Sequence, residues 1–365
     1  MDIPFLDLGA AYRELRGEIN GAVSRVLASG WYIGGPEVEA FEAEWAKYCG
    51  AAYCVGVGSG MDALVLSLRA CGIGPGDGVI VPSNTYIATW LAVSEVGAVI
   101  QPVEPGPEIY NITPEGIAAA ITPETRAILP VHLYGQPAEI DRIADLARDR
   151  GLKLIEDAAQ SHGAQCRGQR IGAHGDAVCW SFYPGKNLGA MGDAGAVTTN
   201  NLEVADQVRL LGNYGSRKKY VNEAQGMNSR LDPLQAAILR VKLEVLDEWT
   251  ARRSEIAARY SQKLVDCGLK LPHVPEWAEP VWHLYVVRSS RRDELQHKLR
   301  QAGIGTMIHY PIPPDQQEAY LGHGLSADAL PVAAGLAREV ISLPVGPHLD
   351  ARAARYVADA LKKST

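Results

Sequence analysis

The sequence predicts an α/β fold: a large domain with a mostly parallel, mixed sheet flanked by helices over residues 1–245, and a small α+β domain over residues 246–365. Three observations carry that expectation. Short apolar, β-prone runs alternate with helical patterns between Tyr53 and Thr199, the spacing that parallel strands with crossover helices require. One of these runs ends in carboxylates at Glu156-Asp157, as a buried strand does when its carboxyl end opens onto a ligand crevice. Beyond a long amphipathic stretch that starts at Pro233, the alternation gives way to a mixture of helices and isolated strands.

Tyr53-Cys54-Val55-Gly56-Val57 reads as the first strand, followed by the turn Gly58-Ser59-Gly60 and an apolar-periodic helix. Val79-Ile80-Val81, Val99-Ile100, Ala127 to Val131, Lys153-Leu154-Ile155, Ala177 to Trp180 and Ala196-Val197-Thr198 follow as strands. From Pro233 to Trp249, Leu234, Ile238, Leu239, Val241, Leu243 and Leu246 fall on or near one helical face. The second domain reads as a helix from Arg253 to Leu264, a strand from Trp282 to Val287, a helix from Arg292 to Ala302 and a strand from Gly305 to Tyr310. His283 falls inside a strand on this reading and is taken as structural. Pro311-Ile312-Pro313-Pro314 then makes a rigid loop.

Composition narrows the function. A chain of 365 residues, 47% hydrophobic, buries a large core, and a formal charge of -7 argues against nucleic-acid binding, which calls for a basic stripe. The six cysteines at 49, 54, 71, 166, 179 and 267 form no CxxC pair, so a reducing compartment is expected. Met1-Asp2-Ile3-Pro4 has no cationic start, and no apolar run approaches the roughly 18 residues of a membrane span, so the chain is read as cytoplasmic. Histidines 132, 162 and 174 lack metal-ligand spacing, and no metal is expected. The basic cluster Arg217-Lys218-Lys219 is read either as a solvated loop or as a contact for an anionic substrate.

Lys186 lies on the turn Ser181-Phe182-Tyr183-Pro184-Gly185-Lys186-Asn187, directly after an apolar run. An amine partly removed from water loses its proton more readily, which suits it to attack an aldehyde and to carry a proton. Taken alone it reads first as a solvated loop lysine, and Asp157 alone is equally a helix N-cap or a salt-bridged acid. The glycine run Gly56 to Gly60 before a helix makes a phosphate cradle or an ordinary tight turn. Glycine turn, strand-end acid and lysine, in this order along the chain, suggest a pyridoxal phosphate site.

The chain resembles the DegT/DnrJ/EryC1/StrS sugar aminotransferases along nearly its whole length, from Pro4-Phe5-Leu6-Asp7-Leu8 to Ser342-Leu343-Pro344. The motifs that carry the resemblance are Pro82 to Thr89, Glu156-Asp157-Ala158-Ala159-Gln160, Ser181 to Asn187, and Gly226-Met227-Asn228-Ser229-Arg230-Leu231. It implies a fold type I aminotransferase that uses pyridoxal 5′-phosphate, with pyridoxamine 5′-phosphate in the second half-reaction. Lys186 would form the Schiff base and Asp157 would face the pyridine nitrogen. Gln160 would lie by the phenolic oxygen, Tyr86 would stack on the ring, and Gly60, Met61 and Ser181 would hold the phosphate. Asn228 would reach the phosphate of the partner subunit, which requires a homodimer. Tyr183, His309 and Tyr310 would approach the nucleotide-sugar. Gly192-Asp193-Ala194-Gly195 departs from the family's usual Glu-Gly or Gly-Gly, which leaves that loop's geometry open.

Some relatives with dehydratase activity carry histidine at the lysine position, so Lys186 speaks for amino transfer. The resemblance is greatest to enzymes of dTDP-3-keto-6-deoxyhexoses. It implies transfer from L-glutamate to C3, giving a dTDP-3-amino-3,6-dideoxyhexose, the alternative being a 4-aminotransferase, or one for another carbon, acting on a UDP- or GDP-linked keto sugar. A non-catalytic regulator would lack the lysine or add a DNA-binding module, and the sequence shows neither. A nicotinamide-dependent dehydrogenase would rest on the glycine run alone.

Overall fold

A computed structural model describes residues 1–322 and 329–365. Seven strands form the central sheet: β1 (Tyr53–Val57), β2 (Gly78–Pro82), β3 (Val99–Val103), β4 (Thr125–Ile128), β5 (Lys153–Asp157), β6 (Ala177–Ser181) and β7 (Gly195–Thr199). Their spatial order is β1-β7-β6-β5-β4-β2-β3. The pairs joining β3, β2, β4, β5 and β6 are parallel, whereas β7 runs antiparallel to both β6 and β1. Reversal of β7 brings Gly195 opposite both Ser181 and Val57, so the glycine turn, Ser181 and the Asp157 end of β5 share one edge of the sheet.

The inner strands are buried on both faces, and their alternation divides the core. Ile80, Leu154, Val178 and Trp180 point into one apolar cluster, with Phe41, Trp45 and Phe182. Val79, Val81, Ile155, Ala177 and Cys179 point into the other, beneath the helix Gly60–Ala70. A third cluster gathers Ile256 and Tyr260 of the helix Leu246–Lys263, the strands Tyr285–Arg288 and Val340–Leu343, and the helices Arg292–Gln301 and Ala351–Ser364. Ile3 joins that cluster by pairing with Ile304, so the first residues of the chain pack with the last hundred.

Three local expectations are corrected. The amphipathic stretch from Pro233 is two helices, Pro233–Leu243 and Leu246–Lys263, broken where Val245 leaves helical geometry at φ -113°. Gly305 to Tyr310 is not a strand: only Met307 makes a ladder contact, with Ser342. A run without a neighbouring partner cannot satisfy its backbone as a strand, whatever its propensity. His283 lies just before the strand Tyr285–Arg288 rather than within it. All six cysteines are free thiols. Among the described residues, no helix is long and apolar enough to cross a membrane, and no cluster of side chains has the makings of a metal site.

Candidate active site

At the carboxyl end of β5 the strand alternation sends neighbouring acids to opposite faces. Glu156 is fully buried with His132: Ala138 N–H donates to His132 Nδ1 at 3.0 Å, so Nε2 carries the hydrogen and donates to Glu156 at 2.9 Å. Gly175 N–H donates to the other Glu156 oxygen at 2.6 Å, which completes a closed structural pair. Asp157 is 6% exposed and faces the other way. Its carboxylate accepts from Ala159 N–H at 3.1 Å and from Thr89 Oγ1 at 2.9 Å. Burial pushes its carboxyl above the usual range, against those bonds and the nearby Lys186 charge.

Lys186 is brought to Asp157 by a tight loop. Lys186 N–H closes a turn onto Tyr183 O at 2.8 Å, and Ala190 N–H returns to Phe182 O at 2.7 Å. Asn187 donates to Val281 O at 2.9 Å and accepts from His283 Nδ1 at 3.2 Å. From below, the buried Lys242 donates to Gly189 O at 2.5 Å. Desolvation lowers the Lys186 amine from its ordinary value to about 8, a fall that the Asp157 charge opposes. The three histidines around it are held neutral, first by burial and then by the Lys186 charge. His162 falls to about 3, His309 to about 4, and His283 well below its ordinary range.

The glycine turn and Ser181 meet at the end of the sheet. Ser59 caps the helix Gly60–Ala70 by accepting from Asp62 N–H at 3.1 Å, a contribution of about 1 kcal/mol. A Cβ on Gly60 would sit 2.5 Å from Ser181 Cβ, and one on Gly195 would sit 2.3 Å from Ser59 O. Only glycine lets the helix start approach this closely, so the first-turn N–H groups of Gly60 and Met61 lie beside the Ser181 hydroxyl. Asp62 in turn accepts from Ser229 Oγ at 2.8 Å, and Ser229 accepts from Gly58 N–H at 2.9 Å. Asn228, next to Ser229, is exposed and bridges Asn213.

Of the remaining expected residues, Tyr86, Tyr310 and His309 place their rings side by side. Gln160 donates to Tyr310 Oη at 3.0 Å, and the Tyr310 ring centroid lies 5.3 Å from that of Tyr86. Tyr86 and Tyr183 are 55% and 57% exposed, large open ring faces for residues of this type. His309 is anchored through Nδ1 to Ser342 Oγ at 2.8 Å, and burial pushes the Tyr310 phenol up. Sequence reasoning missed Thr89, Lys242 and Tyr134. Thr89 was legible only as the last residue of the motif Pro82 to Thr89.

These residues fit pyridoxal 5′-phosphate. A buried carboxylate whose charge is poorly matched suits a cationic pyridine N–H, the helix start beside Ser181 suits a phosphate, and the open face of Tyr86 suits a flat ring. Fold and chemistry together are those of a pyridoxal phosphate-dependent aminotransferase.

The chain belongs to the DegT/DnrJ/EryC1/StrS aminotransferase family, whose profile matches residues 13–362. It is 57% identical over 363 residues to the erythromycin biosynthesis sensory transduction protein EryC1 of Saccharopolyspora erythraea, covering 99% of both chains. It is 54% identical over 362 residues to dTDP-3-amino-3,4,6-trideoxy-alpha-D-glucose transaminase of Streptomyces venezuelae, covering 99% of this chain and 96% of that one. The crystal structure of S. venezuelae DesV superposes with a TM-score of 0.98 at 54% identity, covering 99% of this chain and 98% of the other.

Proposed function

We propose that the protein transfers the amino group of L-glutamate to C3 of a dTDP-linked 3-keto-6-deoxyhexose. The observation that carries the reading is the half-buried Lys186 amine, lowered to about 8 by desolvation and placed within electrostatic reach of the buried Asp157. The relative that the name dTDP-3-amino-3,4,6-trideoxy-alpha-D-glucose transaminase describes supports C3 and the dTDP carrier. A relative named for sensory transduction brings a regulatory reading with it. A lysine held partly unprotonated in a desolvated site favours chemistry instead.

Bound pyridoxal 5′-phosphate supplies an aldehyde carbon and a ring that takes up electrons. Asp157, as an unneutralised buried carboxylate, holds a proton on the group opposite it, with Thr89 and Ala159 fixing its direction. Lys186 Nζ, lowered to about 8 by desolvation, would take the proton from the substrate carbon and deliver it to the carbon that carried the aldehyde, on the far side of the nitrogen between them. Gly60 and Met61 N–H groups and Ser181 Oγ hold the phosphate. Tyr86 covers the ring, Gln160 donates at its phenolic side, and Tyr183, His309 and Tyr310 face the nucleotide-sugar. Asn228 completes the partner's phosphate site in a homodimer.

The test is reconstitution with pyridoxal 5′-phosphate, L-glutamate and dTDP-3-keto-6-deoxyhexose, with UDP- and GDP-keto sugars run alongside. Mass spectrometry should find the amine at C3 of the dTDP sugar. Amination of the UDP or GDP sugars alone would leave the aminotransferase and remove the substrate assignment.

A further inference from the structure

Tyr134 lies in the short turn Leu133–Gly135 with φ 61° and ψ 7°, the left-handed region that a bulky side chain rarely adopts. Three bonds leave this one residue. Its N–H donates to Gln160 Oε1 at 2.6 Å, its carbonyl accepts from Leu284 N–H at 3.1 Å, and its hydroxyl donates to the His309 carbonyl. Its ring is buried edge-on against Tyr110, with centroids 5.3 Å apart.

The two ends of a glutamine amide have the same shape but opposite chemistry. A backbone N–H is satisfied only by an acceptor, so the Tyr134 bond turns the Gln160 oxygen inward and leaves the NH2 group facing Tyr310 at 3.0 Å. Tyr310 Oη, having accepted that bond, keeps its own proton to give. The same tyrosine grips the carbonyl of the preceding residue, His309, whose ring is separately tied to Ser342. One residue therefore fixes both the polarity of the Gln160 amide and the peptide that carries Tyr310.

We propose that Tyr134 is a positioning residue with two arms. The N–H arm presents Gln160 as a donor to the phenolic oxygen of the cofactor, and the hydroxyl arm holds His309-Tyr310 in place for the sugar nucleotide. The proposal rests on the cofactor reading above and adds a division of labour to it.

The holoenzyme tests the arms separately. Tyr134→Phe removes only the hydroxyl. It should raise KM for the dTDP-keto sugar about tenfold, the worth of one hydrogen bond, with the L-glutamate half-reaction and the equilibrium affinity for pyridoxal 5′-phosphate unchanged. Gln160→Glu keeps an oxygen for the Tyr134 N–H and replaces the NH2 donor that faces Tyr310 by an acceptor, without touching Tyr134. It should weaken cofactor affinity, measured by fluorescence quenching, by about tenfold and shift the pH at which the visible absorbance titrates. The proposal is overturned if Tyr134→Phe leaves the sugar KM as in the wild type. It is also overturned if both KM values and cofactor affinity move together with a fall in thermal midpoint, as a packing defect would cause. If the wild-type protein takes up no pyridoxal 5′-phosphate, the site reading itself fails, an outcome distinct from either.

Discussion

Gly60 and Ser181 touch across the end of the sheet: a methyl group on Gly60 would lie 2.5 Å from Ser181 Cβ, closer than non-bonded carbons approach. The contact joins the start of the helix Gly60–Ala70 to the end of β6, both of which face the phosphate on the proposed reading. Gly60→Ala should push the helix start away from Ser181 and weaken pyridoxal 5′-phosphate binding by about tenfold or more, since it misplaces more than one phosphate contact. Equilibrium titration of the cofactor measures it; an unchanged affinity would remove Gly60 from the cradle.

Lys186→Ala should lower turnover by about 10⁴-fold or more, because attack and proton transfer both depend on Nζ. Far-UV circular dichroism should be unchanged, the loop being held by Asn187, Lys242 and backbone bonds rather than by the amine. Borohydride reduction of the wild-type holoenzyme should fix the cofactor to the peptide containing Lys186. Appearance of the label elsewhere would reassign the nucleophile.

The amine should react with an acylating reagent in the cofactor-free protein with a midpoint at about pH 8, its value in the fold. The sign for stability follows. Between about 8 and the ordinary 10.5 the unfolded chain binds more protons at this position than the folded one, so stability rises with pH across that window. Lys242, also lowered to about 8 by burial, adds to the same slope. Lys186→Met should flatten part of it and stabilise the cofactor-free protein near neutral pH by on the order of 2 kcal/mol. Denaturant titrations at several pH values check this; a slope identical to the wild type would show that the amine is not desolvated.

Asp157→Asn should separate stability from function. The buried carboxylate is raised above its usual range, so its charge costs stability at neutral pH and an amide removes that cost. The cofactor-free variant should therefore be at least as stable as the wild type. Added pyridoxal 5′-phosphate should raise its thermal midpoint less, and turnover should fall by about 10²-fold to 10⁴-fold. Equal stabilisation of both proteins by the cofactor would show that Asp157 does not meet the cationic ring.

Subunit mixing tests the placement of Asn228, which is exposed in a single chain. If it serves the partner's phosphate, a Lys186→Ala chain paired with an Asn228→Ala chain carries one intact site and one doubly damaged one. Such mixed dimers should show about half the wild-type activity, well above either parent. Mixtures no more active than the parents would place Asn228 in its own subunit's site or outside any site.

The legibility of the chain depends on how far apart its interacting residues lie. Asp157 and Lys186 could be singled out in the sequence as a strand ending in acid and a lysine on a tight turn, though only together do they point to a cofactor. The alternation of Val79, Ile80 and Val81, or of Ile155 and Glu156, already assigned opposite faces of the sheet. His283 and Gly305 to Tyr310 misled because their apolar and β-branched residues imitate strands, while no partner strand lies along them except at Met307.

By itself the sequence determined the α/β alternation, the acid-ended strand and the glycine turn, because each is written in neighbouring residues through backbone geometry and periodicity. Only the tertiary structure decided that β7 runs backward to set Gly195 against Ser59, that Lys242 braces the Lys186 loop from beneath, and that Tyr134 turns the Gln160 amide and grips His309. Those contacts join residues tens to hundreds of positions apart. They depend on packing, desolvation and the pairing of single polar atoms, none of which has a period along the chain.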